Sequence, residues 1–183
     1  MSARSATALA GCWRLQLPQF ADARGNFTKL LHAPTLEGAG LESHFVESYY
    51  SISQRGVIRG LHFQSPPHEH AKLVMCLSGR ARDVVLDLRR GSPTYGQSAV
   101  FELEGGDGQA IYIPRGMAHG FAALAEQTGM LYYVSSVHAP ANDCGLRWDA
   151  AGIDWGVEQP ILSERDRGFG TLAEFDSPFA WNA

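Results

Sequence analysis

The stretch Arg55-Gly56-Val57-Ile58-Arg59-Gly60-Leu61-His62-Phe63-Gln64 sets two guanidiniums and an imidazole among strand-forming apolar residues. A guanidinium grips phosphate or carboxylate through its forked donors. An imidazole titrates near neutrality and can take up or release a proton there. Alternate side chains of an extended segment face opposite ways, which puts Val57, Arg59 and Leu61 on one side and Ile58, Gly60 and His62 on the other. An enclosed polar group without a partner costs about 1–3 kcal/mol, so Arg59 and His62 are expected to line a wet, ligand-holding cavity. Downstream, the turn Pro114-Arg115-Gly116 separates two strands and delivers His119 to the mouth of the same enclosure. His68 and His70 have the spacing of a metal-ligand pair, but no Glu or Asp follows them, and the ammonium of Lys72 would repel a divalent cation. The cavity is therefore expected to work without metal.

The elements that position these groups read as strands. Trp13 to Leu17 and Asn26 to Leu31 read as strands joined by a turn carrying Asp22-Ala23-Arg24-Gly25, and Pro34 to Leu41 as a short helix. Strands then follow at close spacing over 45–53, 57–63, 71–77, 80–88, 97–104, 108–113, 118–124 and 129–137. Within 83–88, Val84, Leu86 and Leu88 alternate with Asp83, Val85 and Asp87, the pattern of a sheet with one strongly buried face. With 20 glycines and 9 prolines punctuating the chain and no internal repeat, the strands must close on one another as a sandwich or barrel. The predicted class is all-β with a few short peripheral helices. One domain is expected over 1–183, with a core over about 12–167 and an irregular C-terminal tail over 168–183; the chain after Pro140 is irregular apart from one short helix near 163–175.

Composition narrows the function classes. A net charge of −4 gives no support to nucleic-acid or anionic-membrane binding, so an anionic ligand must be met by a local basic cluster. No apolar run approaches a membrane span. Cys12, Cys76 and Cys144 are odd in number and lack Cys-x-x-Cys spacing, which points to reduced thiols. Leu9-Ala10-Gly11-Cys12 imitates a lipoprotein cleavage site, but the apolar run before it is too short for a signal core. A cytoplasmic location is expected.

The spacing from Gly108 to His119 resembles the second motif of the cupin superfamily. The resemblance narrows with Arg59-Gly60-Leu61-His62-Phe63-Gln64, Lys72-Leu73-Val74, Asp87 to Gly96, Ile113-Pro114 to Phe121, Leu131-Tyr132, Gly152-Ile153-Asp154-Trp155 and Leu162-Ser163-Glu164-Arg165-Asp166. Together, over about residues 12 to 167, these are similar to the dTDP-4-dehydrorhamnose 3,5-epimerases of deoxysugar biosynthesis. The resemblance implies a cofactor-independent cupin jelly roll, a homodimer in which an N-terminal strand completes the neighbour's sheet, and a 4-keto-6-deoxy sugar on a nucleoside diphosphate as substrate. It further implies His62 as base, Asp166 as the carboxylate that orients it, Lys72 as the cation facing the enolate oxygen, and Tyr132 as proton donor on the far face of the ring. By the same resemblance His119 contacts the ligand, and Arg24 and Arg59 hold the diphosphate.

The chain departs from this family at positions that address the nucleotide or sugar. Lys29 stands where the family has glutamate, Glu47 and Tyr49 where it has glutamine and asparagine, and Val137-His138 where it has a tyrosine pair. Lys29 and Glu47 are expected either to meet the substrate or to pair with each other across neighbouring strands. The nucleotide is then dTDP, with CDP and GDP as alternatives, and inversion takes place at C3, C5 or both. His68, His70 and His138 are expected at loops or edges, and Arg89-Arg90 in a solvated turn. Three other readings use the same residues: a nucleotide-sugar 3,4-ketoisomerase, a metal-dependent cupin enzyme, and a non-catalytic sugar-nucleotide binding module.

Overall fold

A computed structural model describes residues 3–181. Its strands, in chain order, are β1 (Ala3–Ala6), β2 (Trp13–Gln16), β3 (Gln19–Asp22), β4 (Gly25–Thr28), β5 (Glu47–Ser53), β6 (Ile58–Gln64), β7 (Lys72–Ser78), β8 (Arg80–Asp87), β9 (Ser98–Glu104), β10 (Gln109–Ile113), β11 (Met117–Ala123), β12 (Thr128–Val134) and β13 (Asp143–Gly145). Helices are short: α1 (Ala33–Gly38), α2 (Glu164–Arg167) and a 3-10 turn over Leu172–Glu174. A six-stranded sheet in the order β1-β2-β10-β7-β12-β5 faces a five-stranded sheet in the order β13-β6-β11-β8-β9, and β3 and β4 form a separate hairpin. The all-β jelly-roll expectation agrees with this architecture.

Three apolar layers hold the sheets. Val74, Cys76, Ile111, Ile113 and Met130 of the first sheet meet Val85, Phe101, Leu103, Met117 and Phe121 of the second. The outer face of the first sheet, through Leu15, Leu73, Met75 and Tyr112, is covered by Leu36 of α1 and by Leu30, Leu31 and Phe45. On the outer face of the second sheet, Ile58, Leu61, Phe63, Val84, Leu86 and Leu88 pack against Leu146, Trp155, Phe175 and Phe179. Fully burying a side chain of this kind contributes about 1.5–3 kcal/mol, so the tail is a structural layer.

That layer corrects two expectations. β8 is buried on both faces, because its Val84 and Leu86 side meets the C-terminal tail while Ala81 and Val85 face the other sheet. Alternation in 83–88 hid this, since Asp83 and Asp87 are buried too. Asp87 accepts from Nε and Nη2 of Arg89 and from the hydroxyls of Ser92 and Thr94. Burial works to raise its carboxyl, but these bonds prevail and hold it below the usual carboxylate range. Arg89 is therefore not in a solvated turn; it is 6% exposed and lies over the Trp181 ring.

The N-terminal segment also holds two strands, β1 and β3, beyond those expected. β2 does not pair with a strand over Asn26 to Leu31; it lies between β1 and β10, while β3 and β4 pair only with each other. The side chains of this hairpin stay largely exposed. The expected helix near 163–175 divides into α2 and the 3-10 turn, with Gly168 ending the first.

Candidate active site

The segment that carries Arg59 and His62 is not a regular strand. Along the β6–β11 ladder His62 pairs with His119, but Arg59 pairs with Phe121, so three steps on β6 match two on β11. An inserted residue of this kind is a β-bulge, and it shifts all later side chains to the opposite face. Strict alternation would separate Arg59 from His62; the bulge brings both to one cavity of about 520 Å³ between the sheets. Gly60 and Gly120 permit it. A Cβ on Gly60, whose φ is +139°, would lie 2.5 Å from Gly120 Cα, and one on Gly120 would lie 2.7 Å from the Arg59 carbonyl oxygen.

His62 Nε2 lies 2.7 Å from Asp166 Oδ1. Asp166 sits in α2, where Ser163 caps the helix by accepting from the Asp166 backbone N–H at 3.1 Å. Burial would raise the Asp166 carboxyl, but its hydrogen bond to His62 and that ring's charge, helped by Gly60 and Ser163, place it below the usual range. An ionised Asp166 keeps the shared proton on His62 Nε2, so Nδ1 carries the free lone pair. The ring is also braced edge-on by Phe169, at 5.9 Å between centroids.

Lys72 opens β7 with its ammonium inside the cavity, 5% exposed and donating to the His62 carbonyl at 3.2 Å. Burial lowers its pKa from 10.5 to about 8, against the opposing pull of Asp143 and Asp83. His119 Nε2 lies 2.6 Å from Asp83 Oδ2, with both side chains buried. Burial depresses the His119 pKa despite Asp83. A neutral His119 that donates from Nε2 turns an accepting Nδ1 away from Asp83.

Tyr132 enters from β12. Burial raises its phenol well above 10, with Asp83 and Tyr49 acting in the same direction. Its cross-strand neighbour on β5 is Tyr49, and the two rings stack at 4.9 Å and 21°. His119 meets the Tyr132 ring edge-on at 5.8 Å. The period of β5 sends Glu47, Tyr49, Ser51 and Ser53 inward. Ser53 Oγ accepts from Arg59 Nε at 3.0 Å, which fixes the guanidinium and leaves Nη1 and Nη2 to meet a ligand.

A second cavity, of about 290 Å³, adjoins the first across Tyr49, His62, Lys72 and Arg165. Glu47, His70, His138 and Asp143 line it. His70 and His138 are thus cavity residues and not merely loop or edge positions. Glu47 does not pair with Lys29: it accepts from the His138 backbone N–H at 2.8 Å, and its strand neighbours β12, not the hairpin. Lys29 sits instead in a shallow depression with Leu17, Pro18 and Leu30. Arg24 likewise lies outside the cavity, its side chain 90% exposed and bonded to Asp22. Within one chain, then, eight of the ten expected residues gather at the two cavities and Arg24 and Lys29 do not.

Sequence reasoning missed Ser51, Ser53, Asp83, Asp143 and Arg165. Asp143 and Arg165 pair at 2.8 Å on the wall of the second cavity. The signal available for Arg165 was its place beside Asp166; Asp83 was read only as one member of an alternating strand. His68 and His70 converge with no third His, Cys, Asp or Glu into a metal-holding group among the described residues.

Chemically, the first cavity combines an oriented imidazole, a buried ammonium and a phenol, with an arginine at its edge. These parts suit removal of a proton beside a carbonyl, stabilisation of the resulting oxyanion, and return of a proton. The sequence profile described as dTDP-4-dehydrorhamnose 3,5-epimerase matches residues 6–174. The chain is 37% identical over 173 residues to the dTDP-4-dehydrorhamnose 3,5-epimerase of Methanothermobacter thermautotrophicus, covering 92% of this chain and 93% of the relative. It is equally 37% identical to a dTDP-4-dehydrorhamnose 3-epimerase of Streptomyces niveus, over 91% of this chain and 82% of the relative. Among solved structures, a dTDP-6-deoxy-D-glucose-3,5-epimerase from Legionella pneumophila in complex with dTDP-4-keto-L-rhamnose superposes with a TM-score of 0.95 at 31% identity, covering 100% of both chains.

Proposed function

Since the chain belongs to the dTDP-4-dehydrorhamnose 3,5-epimerase family, we propose that it is an isomerase that inverts carbon beside the ketone of a 4-keto-6-deoxy sugar carried on a nucleoside diphosphate. The observation that carries this reading is the convergence of His62 with Asp166, Lys72 and Tyr132 on one cavity. His62 Nδ1 takes the proton from the carbon next to the ketone, and the electron pair moves to the C4 oxygen. Asp166 holds the tautomer that leaves Nδ1 bare and stabilises the imidazolium. The ammonium of Lys72 meets the enolate oxygen in a water-poor site, where its charge acts strongly. Tyr132 then returns a proton to the opposite face, and the carbon is inverted. Arg59 meets the diphosphate, and the adjoining cavity with Glu47, Tyr49 and His138 receives the nucleoside end.

Arg24 and Lys29 enter this scheme through a second copy of the chain. Their hairpin projects Phe20 and Phe27, 59% and 63% exposed, and edge strand β5 presents Tyr50 and Ile52 to solvent. A homodimer that covers these apolar groups would carry Arg24 and Lys29 to the neighbour's cavity, and light scattering on the purified protein tests it. The shared apolar layers support a single domain. The three free thiols, with burial pushing Cys12 to about 12 and Cys76 to about 11, fit the cytoplasm. No helix among the described residues is long and apolar enough to cross a membrane.

The reading is tested by proton NMR of dTDP-, CDP- and GDP-4-keto-6-deoxyhexoses in deuterated buffer. Loss of the C3 or C5 proton signal with at least one of them is expected, dTDP foremost; retention of both signals with all three overturns the proposal.

A further inference from the structure

C3 and C5 flank the ketone and lie about 2.6 Å apart, the span of two C–C bonds at the trigonal carbonyl carbon. A phenol must come within about 2.6–3.2 Å of the atom it protonates. To serve both carbons, either Tyr132 or the sugar must therefore shift by a distance comparable to the reach itself. A misplacement of about 1 Å already costs on the order of a hundredfold in rate.

Tyr132 has little room for such a shift. It rises from a strand hydrogen-bonded on both sides, to β5 and to β7. One face of its ring is stacked on Tyr49 at 4.9 Å and 21°. Its edge rests on His119, which is itself tied to Asp83 at 2.6 Å. Tyr49 is the member of this box at a position where the family's usual pattern has a much smaller asparagine. It also lines both cavities, together with His62, Lys72 and Arg165, so the clamp borders the pocket assigned to the sugar as well as the one assigned to the nucleoside. Relatives of equal identity include both a 3,5-epimerase and a 3-epimerase, which leaves the outcome to this chain's own residues.

We propose that Tyr49 is a positioning residue: by stacking on Tyr132 it fixes the phenol at one ring carbon and confines inversion to a single carbon beside the ketone. The inference rests on the epimerase reading above. No extra reactant is required. At the inverted carbon a C–H bond breaks to His62, a C–H bond forms from Tyr132, and solvent restores both side chains.

The test follows product configuration by proton NMR coupling constants, using the dTDP-linked 4-keto-6-deoxyhexose. In the wild type, inversion at the second carbon is expected to be at least a hundredfold slower than at the first. Tyr49→Phe, which keeps the stack, should retain the single-carbon pattern. Tyr49→Ala and Tyr49→Leu should raise the ratio of second to first inversion at least tenfold. A destabilised site would slow both inversions together and leave the ratio unmoved. Two results overturn the inference: a wild type that inverts both carbons within tenfold of each other, or folded Ala and Leu variants whose ratio is unchanged or whose inversion is lost. A wild type that exchanges neither proton overturns the epimerase reading itself, which is a distinguishable failure.

Discussion

Replacing Lys72 by methionine keeps an unbranched side chain, one atom shorter, at the buried position and deletes the charge together with the hydrogen bond to the His62 carbonyl. Burial, partly offset by Asp143 and Asp83, lowers the ammonium pKa from 10.5 to about 8, a net penalty on the charged form of about 3 kcal/mol. A developing oxyanion beside Nζ offsets that cost in the transition state, and the ground-state ketone does so far less. Losing this differential should slow enolate formation on the order of a hundredfold. The same pKa sets a pH dependence. In the proposed mechanism the protonated Lys72 meets the enolate oxygen, so the rate should fall as pH rises through about 8 in the wild type. In Lys72→Met the remaining activity should lack that alkaline limb. Initial rates of deuterium incorporation at the carbon beside the ketone, measured between pH 6.5 and about 9.5, read both effects. A methionine variant within threefold of the wild type, or an unchanged alkaline limb in that variant, would refute the reasoning.

Two further perturbations separate tautomer control from backbone geometry. Asp166→Asn can hold His62 with the proton on Nδ1, the wrong atom, so kcat should drop on the order of 10²–10⁴ with little change in KM; a loss below tenfold in steady-state kinetics would contradict the role given to Asp166. Gly120→Ala places a Cβ 2.7 Å from the Arg59 carbonyl and 2.9 Å from Gly60 Cα. Overpacking of this kind costs about 1–3 kcal/mol, roughly a 3–10 °C fall in Tm for a chain of this size, and should lower kcat/KM because the wedge displaces the bulge. Calorimetry and kinetics that both match the wild type would show that the bulge does not depend on this close approach.

What could be read in the sequence was what depends on local pattern. Strand rhythm from Glu47 to Val134 follows from alternation and turn residues, and it located nearly every strand of the two sheets. Long-range events were hidden. The bulge between Arg59 and His62 needs Gly60 and Gly120 to touch across two strands separated by about sixty residues, and no period announces that. Asp83 and Arg89 look, in sequence, like charges facing water: Asp83 is buried against His119, far along the chain, while Arg89 pairs with nearby Asp87 and is covered by Trp181 of the tail. The C-terminal tail seemed irregular because its anchors, Trp155, Phe175 and Phe179, follow the shape of the sheet beneath them and have no period of their own. Arg24 and Lys29 were placed at the substrate by resemblance, and one chain by itself does not bring them there.

The central claim is that His62, held by Asp166, removes a proton beside the sugar ketone. It is tested most directly by comparing wild type and His62→Asn in deuterated buffer with the dTDP-linked 4-keto-6-deoxyhexose, with dTDP affinity measured in parallel by calorimetry. The wild type should lose the proton signal at C3 or C5, while His62→Asn should lose none and bind dTDP within about threefold of the wild type, since Arg59 and the Glu47, Tyr49 and His138 lining of the second cavity are kept. Deuterium incorporation at the same rate in both proteins would remove His62 from the chemistry and contradict the mechanism.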